Sequence, residues 1–337
     1  MKKISLFALI LIIIVVILTP IILGYNIGDL GDDLKNLFFA QYETVTYDID
    51  EAFTSLCIDT DTADVHLLVA EDGKSKVTVY KRKNESFNVS VSKGELCIES
   101  NESKVNFSFN FESPKITVYL PEGEYESLDI QNDTGDVILD GGVSFDRIDV
   151  TLDTGDAHVF ESANEYINIA AETGNVHIQG AKYGAASIKT DTGDVTLKDV
   201  ICDNDISITN DTGKITVSSL ECNGKIGLTV DTGKVFITNA TCNDLSSVGS
   251  TGDINLINVV VSEKMSIERG TGDVLLESCD GGEILITTDT GDVSGSLLSD
   301  KIFITSTNTG RVNVPETTSG GKCKITTDTG NIIIEIE

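Results

Sequence analysis

A Thr-Gly pair recurs along most of this chain, with its glycines at Gly135, Gly155, Gly174, Gly193, Gly213, Gly233, Gly252, Gly272, Gly291, Gly310 and Gly330. The intervals are 19 or 20 residues throughout. Self-similarity at such a period restricts the fold to stacked units, a solenoid or an array. An earlier copy, Asp61-Thr62-Ala63-Asp64-Val65, carries Ala63 in the glycine's place. With each glycine as position zero, +2 and −7 are apolar in all 11 copies. Position −5 is apolar except at Ser247 and Thr305, and +4 except at Gly295. Apolar residues therefore alternate with polar or small ones on both sides of the pair, which is the period of strands.

Each unit reads as strand, bend, strand and connector. A two-residue hairpin needs φ > 0 at its first central residue, which β-branched threonine resists. Glycine in second place suits a type II bend, with the preceding Asp in an Asx turn. The units are also alike and have no alternating partner. The expected fold is all-β, a single-stranded parallel β-solenoid (β-helix) of about 19.5-residue coils, in preference to a row of hairpins. At ~4.8 Å per coil, eleven coils make a rod ~50 Å long. Residues 41–125 read as β-rich opening coils and a cap, and residues 126–337 as the regular repeats. Ile332, Ile334 and Ile336 carry the inward face to the end of the chain with no capping element. The C-terminal coil is therefore expected to offer an open edge for self-association.

Two further features bear on location and partners. Residues 4–23 form an uncharged stretch of 20 residues behind Lys2 and Lys3, long enough to cross ~30 Å of hydrocarbon as a helix. The positive-inside rule makes residues 1–3 a cytoplasmic tip and 4–23 a transmembrane signal-anchor. Residues 24–40 are then a stalk, and the remainder is extracellular. A cleaved signal peptide is the rival reading, but no small-x-small site stands at Leu23-Gly24-Tyr25. Against 54 Asp+Glu the chain sets 24 Lys+Arg, a formal charge of −30. That balance excludes a nucleic-acid partner, which needs a basic footprint.

The run Ile116-Thr117-Val118-Tyr119-Leu120-Pro121, followed by Ser127-Leu128-Asp129-Ile130 and Asp133-Thr134-Gly135-Asp136-Val137, resembles the bacterial putative adhesin family, domain of unknown function 4097. The resemblance spans roughly residues 42–337 and implies a β-solenoid on a membrane-anchored or secreted protein of the cell envelope. It carries over no site. Lys214, Lys234 and Arg311 depart from it, standing where other copies have Asp or Asn.

Several constellations compete with purely structural roles. Asp-Thr-Gly, complete in seven copies, is also the aspartic-protease signature. That chemistry needs two such loops facing each other across a cleft, and a regular array offers none. Acidic residues at −2 and +1 make Asp133, Asp136, Asp153 and Asp156 the calcium candidates, because stacked carboxylates repel and a hard cation relieves them. Ordinary screening of a solvated face accounts for the same residues. Cys202, Cys222 and Cys242 share position +9 in successive coils, which predicts a stacked, buried, reduced ladder. Parallel side chains strain a disulfide and give no tetrahedral zinc site. His66, His158 and His177 share the outward position +3, a two-His metal site or polar filler. Asn84-Glu85-Ser86 and Asn106-Phe107-Ser108 are glycosylation triplets.

These residues point to a non-enzymatic, membrane-anchored envelope protein with an acidic extracellular solenoid. Its partner is a cell-wall or surface glycan or a protein, and its role is adhesin, scaffold or envelope-stress component. A calcium-dependent rod is the alternative. A polysaccharide-acting β-helix enzyme would need a carboxylate gathered with a Lys or Arg in a break of the repeat. Glu263-Lys264, Glu268-Arg269 and Arg311 are the nearest approach to one.

Overall fold

A computed structural model of the chain describes residues 41–101 and 113–337. The expected membrane span at 4–23, with its tip and stalk, lies outside the described residues, as does the triplet at Asn106. Among the described residues there is no helix long and apolar enough to cross a membrane.

The repeats stack as parallel coils. Leu128 lies beside Ile148 and Ile148 beside Ile167, and the threonines of all 11 Thr-Gly pairs fall in one column, from Thr134 beside Thr154 to Thr309 beside Thr329. The strand before the bend and the strand after it form separate ladders, as in Ser144–Thr154 on Glu124–Thr134 and Ala157–Val159 on Val137–Leu139. A third side closes the middle coils, where Val200 lies beside Leu220 and Cys202 beside Cys222. Asp199, Ser219, Asn239, Asn258 and Ser278 turn the chain onto this side at +6, with φ of 50–55°. The expected inward positions −7, −5, +2 and +4 form one continuous apolar core, joined by +7 and +9.

The bend differs from the expected type II geometry. Its glycines sit at φ of 133–159° wherever a positive value occurs, well beyond the ~80° of a type II turn. Glycine is needed for the stacking. A Cβ on any corner glycine from Gly155 onward would lie 1.7–2.2 Å from the glycine carbonyl oxygen of an adjacent coil.

Coil order departs from chain order at both ends. Gly321–Thr329 pairs with Val274–Thr290 on one side and Lys301–Thr309 on the other. Ile332–Ile336 likewise lies between Val293–Leu297 and Val312–Asn313. The last coil in sequence is thus inserted ahead of the Gly310 coil, and Ile332, Ile334 and Ile336 do not form the open edge expected of them. At the other end Ser55–Thr60 and Asp64–Val69 pair with the regular repeats at Glu124–Thr134 and Val137–Leu139. They are covered in turn by Glu95–Asn101 and Lys115–Leu120. Antiparallel strands Ser86–Ser92, Lys76–Arg82 and Tyr42–Asp48 complete that cap.

Candidate functional site

The Thr-Gly corner concentrates the chain's acidic residues, and its +1 column has a definite bonding role. The Oδ1 of Asp64 accepts the backbone N–H of Asp136 at 3.1 Å, and that of Asp136 accepts the N–H of Asp156 at 2.9 Å. The series continues from Asp156 to Asn175, from Asn175 to Asp194 and from Asp194 to Lys214. It resumes from Asp253 to Asp273, Asp292, Asn331 and Arg311. Each side-chain oxygen satisfies the first amide after the bend in the next coil, an amide that the turn geometry leaves without a strand partner. Aspartate and asparagine serve alike, because both present an acceptor at the same distance from the backbone. Lys214 has no acceptor to offer, and the series is interrupted at Lys234. There the ammonium of Lys234 pairs with Asp253 at 2.8 Å, which holds that carboxyl below its ordinary range.

Of the calcium candidates, Asp136 and Asp156 belong to this ladder, with one oxygen of each already bonded to backbone. Asp133 and Asp153 are exposed in the neighbouring −2 column. Among the described residues no group of three or more His, Cys, Asp or Glu is placed to hold a metal ion. His158 and His177 are register neighbours with ring centroids 6.0 Å apart. His66 is separated from them by the Ile138 row, and its Nε2 lies 2.6 Å from Asp140.

A second polar column, at −3, escaped the sequence reading. Thr60, Asn132, Thr190, Asn210, Arg269, Thr288 and Thr327 are all buried there. Asn132 donates to the Ala63 carbonyl at 3.0 Å, Asn210 to Gly193 at 2.7 Å and Thr327 to Gly291 at 3.1 Å. The two columns thus bond neighbouring corners from inside and outside. Parity held the missed signal: −3 must face inward if −7 and −5 do.

The seven cysteines are free thiols, with Cys202, Cys222, Cys242, Cys279 and Cys323 buried. Its S–H contact with Cys222, together with burial, raises the Cys202 thiol. Burial pushes Cys242 and Cys323 up to about 12. Cys202, Cys242 and Cys323 are core filler held protonated, the opposite of an activated nucleophile, while the same contact with Cys202 lowers the Cys222 thiol. Cys57 and Cys97, half-buried and in register, form a second pair that the irregular spacing concealed.

Of the residues considered for an enzyme, Glu268 and Arg269 line one open groove of about 380 Å³ together with Asp231 and Asp289. Glu263, Lys264 and Glu268 are exposed, whereas Arg269 is 2% exposed. Arg269 donates to the Glu268 carbonyl at 2.9 Å and to Ser247 Oγ at 2.7 Å, with no carboxylate among these partners. Gly249 leaves the room it fills. Ser247 and Gly249 thus break the repeat to house a buried cation, and burial lowers the guanidinium to about 10. Arg311 lies in the outermost C-terminal coil. Beside the second corner runs a shallow groove of about 540 Å³ lined by Asp199, Ser219, Asn239 and Asn258. Its ionisable lining residues are two carboxylates, Asp199 and Glu221.

The sequence pattern of the Toastrack family, DUF4097, matches residues 53–240, more than half of the chain. No curated protein matches. Among crystal structures, a putative adhesin from Bacteroides fragilis is 16% identical, covering 88% of this chain and 97% of its own, with a TM-score of 0.31. A putative adhesin from Parabacteroides distasonis is 12% identical, covering 86% and 97%, with a TM-score of 0.39. A putative lipid binding protein from the same species is 14% identical, covering 88% and 99%, with a TM-score of 0.40.

Proposed function

The chain belongs to the Toastrack family, DUF4097, and from that premise we propose that it is a non-enzymatic display rod of the cell envelope. Residues 4–23 anchor it in the membrane, the solenoid stands outside the cell, and contact with a surface glycan or protein is made by its faces in adhesion or scaffolding. The observation that supports this reading is where the polar groups go. At +1 and −3 they bond one corner to the next. The cation nearest a carboxylate-lined groove, Arg269, is itself buried and bonded to Ser247 and the Glu268 carbonyl, and the surface chemistry repeats along the rod. Such a surface suits a repetitive partner, as solenoids commonly offer extended faces for binding.

Two measurements on the full-length protein test this. Protease added to intact cells is expected to cut the solenoid, while a cytoplasmic marker survives. Protection until the cells are permeabilised would refute the proposed topology. A panel of cell-wall polysaccharides and surface proteins is expected to yield saturable binding. Turnover of a polysaccharide in that panel, abolished by substitution of a single carboxylate, would refute the non-enzymatic reading.

A further inference from the structure

We propose that the end of the solenoid formed by residues 301–313 is a homotypic docking surface, on which a second copy of this chain pairs strand edge to strand edge. This inference depends on the geometry of that end alone, and on neither the location nor the ligand proposed above.

The inverted coil order creates the surface. Lys301–Thr309 pairs with Gly321–Thr329 on one side, and Val312–Asn313 with Ile332–Ile336 on one side. Among the described residues no strand lies beyond their other edges, and only the Lys301 carbonyl is met by a side chain, the hydroxyl of Thr317. Ile302, Ile304 and Val312 are 44%, 50% and 45% exposed. Phe303 and Thr305, inward-facing by position, are only half-buried, because no further coil covers them. The sequence Ile302-Phe303-Ile304-Thr305-Ser306-Thr307 is β-branched and aromatic, uncharged and free of proline. Segments of this kind pair readily when left at an edge. Lys301, the only charge in that strand, is not available to blunt the edge. It is buried and paired with Asp280 at 2.5 Å.

Charge argues for a second copy as the occupant. Two chains of −30 repel wherever their acidic faces approach. From Lys301 to Val314 there is no acidic residue, only Lys301 and Arg311. Along this strand two copies meet without opposing carboxylates, the next in sequence being the exposed Asp300 and Glu316. An isologous contact about a twofold axis brings the two Lys301–Thr309 edges together antiparallel and closes the assembly at a dimer. The chain's own undescribed segments leave from the other end, because Tyr42–Asp48 and Glu95–Asn101 lie in the opposite cap. That cap is ~50 Å away by coil spacing.

The salt dependence separates this contact from an electrostatic one. Long-range repulsion between the rods is screened over ~10 Å at 0.1 M salt, so dimerisation is expected to strengthen as salt rises. The test is sedimentation of the full-length protein in detergent, at 50 and 500 mM NaCl, with I304K, T305K and the lateral control I201K. Wild type and I201K are expected to dimerise, with at least a tenfold tighter Kd at high salt. I304K and T305K are expected to stay monomeric while keeping the wild-type circular dichroism spectrum. A wild-type monomer at 500 mM NaCl and high concentration overturns the proposal. So does a dimer that survives both edge variants, which would place the contact elsewhere, including residues 1–40.

Discussion

Replacing Glu161 with glutamine should stabilise the protein at neutral and alkaline pH and cost about 1 kcal/mol in acid. Glu161 is 1% exposed. Its Oε2 accepts the backbone N–H of Val143 at 3.2 Å, while Oε1 has no partner. The hydroxyl of Tyr183 donates to its backbone carbonyl at 3.0 Å and does not reach the carboxylate. Asp140 adds a like charge nearby. Burial, opposed only in part by backbone donors at Val143 and Gly141, lifts the carboxyl from 4.5 to about 7. The folded state therefore holds this proton more tightly than the unfolded chain. The stabilisation is complete below pH 4.5 and is lost as pH rises to 7, which over that interval amounts to about 3 kcal/mol. Glutamine keeps an acceptor for Val143 without the charge. Its new amide donor, if orphaned, costs about 1 kcal/mol, leaving a gain of about 2 kcal/mol at pH 8. Urea unfolding of wild type and E161Q at pH 4.5 and 8, followed by circular dichroism, measures the difference. Equal shifts at the two pH values, or a loss of stability at pH 8, would refute the assignment of a buried ionised carboxylate.

Four further outcomes are expected. Gly213→Ala places a Cβ 1.9 Å from the Gly193 oxygen and should destabilise by roughly 3 kcal/mol or more, since backbone must shift. Gly73→Ala, with open space around it at φ 66°, should cost only about 1–2 kcal/mol, and equal urea midpoints for the two variants would sink the stacking argument. Asp194→Ala removes the acceptor of the Lys214 N–H and should cost about 1 kcal/mol. Asp194→Asn should be near neutral, as Asn175 already is in the same role; an asparagine as damaging as alanine would mean that charge, not acceptance, is what matters. Arg269→Met should raise stability by about 1–3 kcal/mol, because a buried cation without a counter-charge is exchanged for an apolar chain of similar length, and a loss on that exchange would reveal a partner for the guanidinium. Calcium and a chelator should give equal melting midpoints, since the +1 carboxylates already have backbone donors; a rise with calcium that Asp133→Asn and Asp153→Asn abolish would restore the metal reading.

What was legible in the sequence was the part governed by period. The bend recurs at a fixed interval, and strand alternation on both sides of it assigns −7, −5, +2 and +4 to the core. The polar columns were harder to read because each residue type there admits two roles. An aspartate at +1 fits a solvated face or a cation site as well as it fits the backbone cap that it makes. A threonine or asparagine at −3 reads as surface until its parity is followed inward, where it bonds a glycine carbonyl. Glu161 could not be singled out, because its burial depends on the displaced Gly141-Gly142-Val143 loop of the neighbouring coil, and no period announces that.

The exchanged order of the end coils was the least legible feature, for a reason inherent in repeats. When every coil has the same register, Ile286 can face Thr305 or Ile325 with equal hydrogen bonding, and sequence proximity favours the first. The fold uses the second, and side-chain fit explains the choice. Cys323, Ile325, Ile332 and Ile334 are fully buried when coils lie on both sides of them. Thr305, Val312 and Arg311 tolerate the half-wet outermost place. Placing the chain's last coil outermost would uncover four apolar residues in exchange for Phe303, Val312, Val314 and one threonine, so the present order leaves the polar inward residue, Thr305, at the wet end. The same logic acts at the other end, where Leu56, Ile58, Val65 and Leu67 are buried between two layers and the irregular strands from 76 to 120 are spent as cover. A solenoid built of interchangeable coils can thus order them by how well each withstands water, and the polar inward Thr305 suits the Gly310 coil to the end it occupies.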